Sequence, residues 1–160
     1  MVARLLGIER LLHRAIYLAE PAQLWQFAFG AEFPSGHFVS LLAANTCDLP
    51  AGHIADFCDK LLRHGCAYLC AWGPDCERVH DVMDQTVVGP NPPATDRGCV
   101  MTAWHSCESI EQTAEFFLCS TLPDEEFAPG GCALSLIIAV GNLEWSRTIE
   151  TTVQASLRAR

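Results

Sequence analysis

The residues best suited to chemistry gather in two segments that echo one another, CAWGPDCERVH at residues 70–80 and TAWHSCES at residues 102–109. Each carries Ala-Trp followed by Cys-Glu, and each holds a histidine. Cys76 and His80 stand four apart, which puts both on one face of a helix, while His105 and Cys107 can point together from an extended turn. The four would make a Cys2His2 set for zinc, although the spacing matches no established zinc signature. Apart from that zinc ion, no cofactor is indicated. A thiol enzyme is a second option, with Cys76 near a helix N-terminus as nucleophile and His105 as base from a neighbouring strand. Asp75 and Glu77 flank Cys76, and Glu108 follows Cys107, so carboxylates oppose thiolate formation at both cysteines.

Several familiar chemistries are missing. No Gly-x-Gly-x-x-Gly follows the first predicted strand, where NTCDLPAGH carries a proline and a single glycine. There is no P-loop lysine, no Gly-x-Ser-x-Gly nucleophile elbow and no His-Glu-x-x-His.

Charge narrows the partners. The 160 residues hold 19 acidic against 10 basic side chains, a formal net charge of -9, and Lys60 is the only lysine. Nucleic acid and anionic membrane surfaces are recognised by clustered cations, which this chain lacks. Its expected partner is a small molecule or a protein, with homo-oligomerisation a further option. The nine cysteines are odd in number and several fall in apolar runs, where a thiol behaves as a small hydrophobe. Reduced core thiols and a cytoplasmic location are therefore expected. Arg4, Glu9, Arg10, His13 and Arg14 interrupt any signal-peptide core, and no run approaches the roughly eighteen apolar residues of a membrane helix.

The elements that must position these residues follow from periodicity. Leu5, Leu6, Ile8, Leu12, Ala15 and Ile16 recur at helical spacing up to Pro21, predicting a leading amphipathic helix. The aromatic, turn-rich LWQFAFGAEFPSG after it fits a short helix or a packed loop equally well. From His37 onward, four apolar runs, HFVSLLAAN, CAYLCAW, CVMTAW and CALSLIIAV, read as buried strands. A helical pattern follows each. The first has Ile54, Phe57, Cys58, Leu61 and Leu62 on one face, Pro50 at its start and Gly65 at its stop. The second has Val79, Val82 and Met83. The third opens on a Ser109–Gln112 capping box ahead of Ile110, Ala114, Phe117 and Leu118. Trp145, Ile149, Val153 and Leu157 mark the last.

This alternation predicts one α/β domain over residues 1–160, with residues 1–36 as a helical extension packed on it. The predicted core is a three-layer sandwich of about four parallel strands, a Rossmann-like or flavodoxin-like open sheet. Two Pro/Gly-rich stretches, GPNPPATDRG and PDEEFAPGG, fall at helix-to-strand junctions and read as solvated loops. Open parallel sheets bind ligands beyond the carboxyl ends of their strands, near the point where strand order reverses. That edge would gather Asn45, Thr46, Asp48, Trp72, Asp75, Glu77, Trp104, His105, Glu108 and Asn142, with Glu144 beside them. Asp48, Asp75 and Ser109 have competing roles as helix caps. In a flavodoxin-like order the second and third strands would flank the first and stand about 10 Å apart, awkward for a shared ion.

The runs FVSLLAANT, AYLCAWGPDCERVHD, VMTAWHSCES and VGNLEWSRTIE resemble a family of small, uncharacterised bacterial proteins, a domain of unknown function, over about residues 37–150. The resemblance implies a bacterial α/β domain and carries over no activity and no catalytic residue.

Three functions are consistent with these residues. The leading one is a small-ligand-binding or protein-interaction module using the C-terminal edge of the sheet, with Trp72 and Trp104 as walls and His105, Asp75 and Glu108 as polar contacts. The alternative is a hydrolase at the same edge, with His105 as acid/base and zinc as an optional partner. A structural role in an oligomer would instead use residues 1–36.

Overall fold

The computed structural model describes residues 3–30, 33–34, 36–89, 99–130 and 132–159. The four apolar runs are strands, as their composition predicts: β3 (Phe38–Ala43), β4 (Cys66–Trp72), β5 (Met101–His105) and β6 (Leu134–Ala139). Every residue of β3 and β6 is buried, which is why neither shows polar alternation. Each strand feeds a helix: α1 (Ala51–Arg63), α2 (Cys76–Val88), α3 (Ile110–Ser120) and α4 (Leu143–Ala159). The apolar stripes face inward, with Ile54, Phe57, Cys58, Leu61 and Leu62 of α1 and Ile110, Ala114, Phe117 and Leu118 of α3 all buried. The capping box that opens α3 is formed: the Ser109 hydroxyl accepts from Gln112 N at 3.3 Å, and Gln112 Oε1 accepts from Ser109 N at 2.9 Å.

The N-terminus differs from the expectation. Instead of a helix, residues 4–19 form an antiparallel hairpin of β1 (Arg4–Glu9) and β2 (Arg14–Ala19). His13 makes the turn at φ 53°, and the Glu9 carboxylate accepts from Leu11 N and Leu12 N, both at 2.6 Å. A short apolar run has an ambiguous period, and tertiary partners decide it. Here β2 pairs in parallel with β6, Ala15 opposite Leu134 and Ala19 opposite Ile138, so its backbone is satisfied by a strand far away in the chain. Gly7 fits this arrangement: a Cβ there would lie 2.6 Å from a Leu157 methyl group, because β1 lies close under α4.

The sheet has six strands in the order β1-β2-β6-β3-β4-β5, five of them parallel, so the expected four gain β2 as a fifth and β1 as an antiparallel edge. Helices cover both faces, α1 beside α2 on one and α3 beside α4 on the other, giving an α/β three-layer sandwich. The chain runs outward from β3 through β4 to β5, then α3 returns it to β6 on the far side of β3. Strand order therefore reverses between β3 and β6. The order also makes β4 and β5 direct neighbours, unlike the flavodoxin-like arrangement in which they would flank β3. Among the described residues no helix is long and apolar enough to cross a membrane. Of the two Pro/Gly-rich stretches, Pro90–Gly98 lies outside the described residues, while Glu125–Gly130 forms a 3-10 turn.

Candidate functional site

The two Ala-Trp segments end adjacent strands with an offset of one residue. Ala71 pairs with Trp104 and Trp72 with His105. Successive side chains on a strand point to opposite faces, so the two tryptophans leave the sheet on opposite sides. Trp72 faces α4, meeting Trp145 edge-on at 5.1 Å and donating from Nε1 to Glu108 O at 2.9 Å. Trp104 faces α2, where it is 42% exposed and its ring lies 4.4 Å from that of His80. The expected single rim walled by both tryptophans is thereby divided by the sheet itself.

His105 shares the Trp72 face. It is buried, with its ring 4.7 Å from Phe116 and Nδ1 3.6 Å from the Glu108 carboxylate. Its Nε2 is buried without a hydrogen-bond partner among the described residues. His80, beside Trp104, lies across the sheet from His105. Cys76 is buried at the start of α2, and Cys107 is exposed. The four zinc candidates therefore do not converge, and among the described residues no group of three or more His, Cys, Asp or Glu is placed to hold a metal ion. As a nucleophile Cys76 is poorly placed too. Burial pushes its thiol up and the Glu77 charge adds to the rise, opposed by backbone N–H groups of His105, Cys76 and Glu77.

What the segment at residues 72–78 does is join two loops. Gly73, at φ 112°, runs so close to the end of β3 that a Cβ would lie 2.3 Å from Ala44 O. Ala44 N donates to Trp72 O at 3.1 Å. Thr46, fully buried, donates from Oγ1 to Pro74 O and Asp75 O at 3.2 and 3.0 Å. Asp75 takes a left-handed conformation at φ 64°, and its carboxylate pairs with Arg78 Nε at 2.9 Å. Arg78 also donates to the Thr46 and Leu49 carbonyls. Thr46, Asp75 and Arg78 are thus engaged in a clasp between the β3–α1 and β4–α2 loops. Asn142 is engaged as well: its Oδ1 accepts from Glu144 N and Trp145 N at 3.0 and 3.1 Å and caps α4. Glu77 is exposed in the first turn of α2, where the helix dipole favours it.

The remaining polar residues face a cleft at the reversal of strand order. The ends of β3 and β6 are joined there by Val140 N donating to Ala43 O at 2.9 Å. Gly141, at φ 66°, donates from N to Pro21 O at 2.8 Å, with no room for a Cβ against Ala22 O. That contact brings the chain after β2 across the switch point, where Leu24–Gln26 forms one 3-10 turn. The result is a cleft of about 360 Å³ with Gln23 and Trp25 on one side and Asn45, Asp48, Pro50 and His53 on the other. Trp25 is 47% exposed, and its ring lies 5.1 Å from that of His53, whose Nδ1 is buried without a hydrogen-bond partner among the described residues. Asn45 accepts from Cys47 N at 3.1 Å through Oδ1, so its amide NH2 remains available to a ligand. The Asp48 carboxylate forms no hydrogen bond or ion pair among the described residues.

Of the ten predicted site residues, Asn45 and Asp48 line this cleft, while Trp72, Trp104, His105 and Glu108 lie toward β4 and β5. Gln23, Trp25 and His53 had no signal as site residues: the first two sit in the aromatic stretch of ambiguous pattern, and His53 reads as an ordinary first-turn residue of α1. The one available clue was the switch-point rule applied with β2 in the sheet.

No curated protein matches the sequence. A family model described as a domain of unknown function (DUF7684) matches residues 13–156, from the hairpin turn to the last turns of α4. The chain belongs to that family.

Proposed function

We propose that the protein is a small-ligand-binding module whose site is the cleft between the chain leaving β2 and the β3–α1 loop, beside the switch point. The observation that carries this reading is the meeting of Trp25, His53, Asn45 and Asp48 at the point where strand order reverses. Open α/β sheets bind ligands at that point, because the two loops there diverge and leave a crevice. An exposed indole supplies stacking area, while unsatisfied amide and carboxylate groups supply orientation.

Fragment screening followed by amide and indole chemical-shift mapping on the whole chain tests the reading. Hits should shift Asn45, Asp48, His53 and the Trp25 indole, and should weaken at least tenfold in Trp25→Ala. Hits that map elsewhere, or that survive Trp25→Ala unchanged, would refute it.

A hydrolytic reading rests on His105, whose Nδ1 faces Glu108 and whose Nε2 is unpartnered. A base oriented by a carboxylate is half of a nucleophilic site. Among the described residues no hydroxyl or thiol is hydrogen-bonded to that Nε2, so the binding reading is favoured. Ester-hydrolysis activity abolished by His105→Ala without loss of folding would reverse the preference.

A further inference from the structure

We infer that the ligand of this cleft is an uncharged saccharide, bound with one ring face on Trp25 and its hydroxyls on Asp48, Asn45 and Gln23. The inference rests on the binding reading above and names its ligand class. Four features of the cleft select it.

Anions are disfavoured. Neither arginine nor lysine lines the cleft, and Asp48 lies in its wall. The nearby Arg78 is tied to Asp75 and to the carbonyls of Thr46 and Leu49, and Lys60 donates to Phe27 O at 3.4 Å. A phosphate brought here would meet the Asp48 carboxylate with no arginine or lysine free to pair with it, in a protein of net charge -9. Nucleotides and sugar phosphates are set aside on that ground.

Cations are disfavoured for the opposite reason. Pro50 and His53 belong to the start of α1, whose N-terminus has no side-chain cap and no acidic residue in its first turn. The positive end of that helix offsets Asp48 and leaves little net attraction for an ammonium group. A purely apolar ligand would leave Asp48, Asn45 and Gln23 desolvated without partners.

What remains is a neutral molecule that both donates and accepts. Hydroxyls do both. A pair of adjacent hydroxyls can donate to the two oxygens of Asp48, while the free amide groups of Asn45 and Gln23 donate back to them. The apolar C–H face of a sugar ring suits the half-exposed indole of Trp25, and a volume of about 360 Å³ accommodates one or two rings. With about a dozen heavy atoms per ring, a monosaccharide should bind with a dissociation constant on the order of millimolar.

Saturation-transfer NMR on the whole chain tests this, with D-glucose, D-galactose, D-mannose, N-acetyl-D-glucosamine and D-ribose as neutral ligands. Glucose 6-phosphate, D-glucosamine and adenosine serve as comparisons. The expected result is transfer from at least one neutral sugar, insensitive to salt, lost in Trp25→Ala and reduced at least tenfold in Asp48→Asn. Both side chains are exposed, and thermal melting of each variant confirms that it folds. Transfer that is stronger from glucose 6-phosphate or glucosamine than from glucose overturns the neutral-ligand inference. Trp25-dependent transfer from adenosine, with none from the sugars, overturns the saccharide and leaves the binding cleft standing. Absence of Trp25-dependent transfer from these ligands overturns the saccharide, and absence of any cleft-mapped fragment hit overturns the cleft as well.

Discussion

Replacing Gly73 by alanine should destabilise the protein by about 3–5 kcal/mol, a sum built from two costs at one residue. The backbone there sits at φ 112°, a region L side chains rarely occupy, which costs about 1–3 kcal/mol. The added Cβ would also meet Ala44 O at 2.3 Å and Ala44 C at 3.1 Å, and these are backbone atoms that cannot swing aside as a side-chain tip would. Relieving the overlap means moving the β4–α2 turn off the end of β3. That motion weakens Ala44 N to Trp72 O and the bonds from Thr46 to Pro74 and Asp75, at a cost of about 2 kcal/mol together. For a domain of this size the melting temperature should fall by roughly 8–15 °C. Urea unfolding followed by far-ultraviolet circular dichroism measures the change, with the midpoint shifting and the slope m retained. Gly52→Ala is the control, since nothing lies within 4 Å of a Cβ there and the residue is in the first turn of α1. Alanine should be neutral or stabilising at that position by up to about 0.5–1 kcal/mol. A Gly73→Ala variant within about 0.5 kcal/mol of the parent, smaller than the conformational cost alone, would refute the close approach of the two loops.

Thiol titration of the native protein should label Cys47, Cys99 and Cys107 quickly, while Cys58, Cys66, Cys70, Cys76 and Cys132 react only on unfolding. Burial pushes the Cys58 thiol up to about 12 and moves Cys66 and Cys70 further in the same direction, so fast labelling of those three in the native state would contradict the core described above. The bidentate bond from Arg4 to Glu150, 2.7 Å on each side, holds the Glu150 carboxyl below its ordinary value. Its stabilisation is therefore present above the ordinary value of 4.5 and is lost as the pH falls through the lower folded one. Because both side chains are partly exposed, Glu150→Gln should cost less than about 1 kcal/mol at pH 7 and little in strong acid, measured as paired denaturation curves. Trp72→Phe removes the bond to Glu108 O and part of the contact with Trp145, and should cost about 1–2 kcal/mol in the same assay. No change would show that the β5–α3 loop is not held through that indole.

The sequence resolved the α/β layers well and the site poorly, for physical reasons. Strands β3, β4 and β6 are buried on both faces, and that condition writes itself directly into composition as apolar runs broken only by Ser40 and Ser135. Capping is equally local, so Ser109 and Gln112 identified the start of α3. The β1–β2 hairpin was not readable, because Leu5, Leu6, Ile8 and Leu12 satisfy a helical period and only pairing with β6 makes β2 a strand. Missing β2 also hid the cleft, since Gln23 and Trp25 reach the switch point only when the chain leaves the sheet beside β6. The Ala-Trp echo was legible as a recurring strand end. Its one-residue offset was not, because register depends on pairing, and a shift of one residue sends a side chain to the other face. The polar residues there proved harder still to read: Thr46, Asp75 and Asn142 are types that serve ligands or loops equally well, and here they serve loops.

The position of β6 bears on how the chain can be made. It is the last strand in sequence and it lies between β2 and β3, with Ala15 and Phe38 both opposite Leu134. During synthesis the hairpin and the β3–β4–β5 unit emerge as two separate half-sheets, each with an unpaired inner edge and apolar faces awaiting cover. Neither edge is satisfied until residues 134–139 have left the ribosome and threaded between them. Closure of the sheet therefore has to wait for synthesis of residues 134–139, is dominated by contacts of long sequence separation, and is slow relative to the local helices. A chain that stops before Leu134 adds the unpaired edges of β2 and β3 to those of β1 and β5, so prematurely terminated copies of this protein are a more serious aggregation hazard than their missing length suggests.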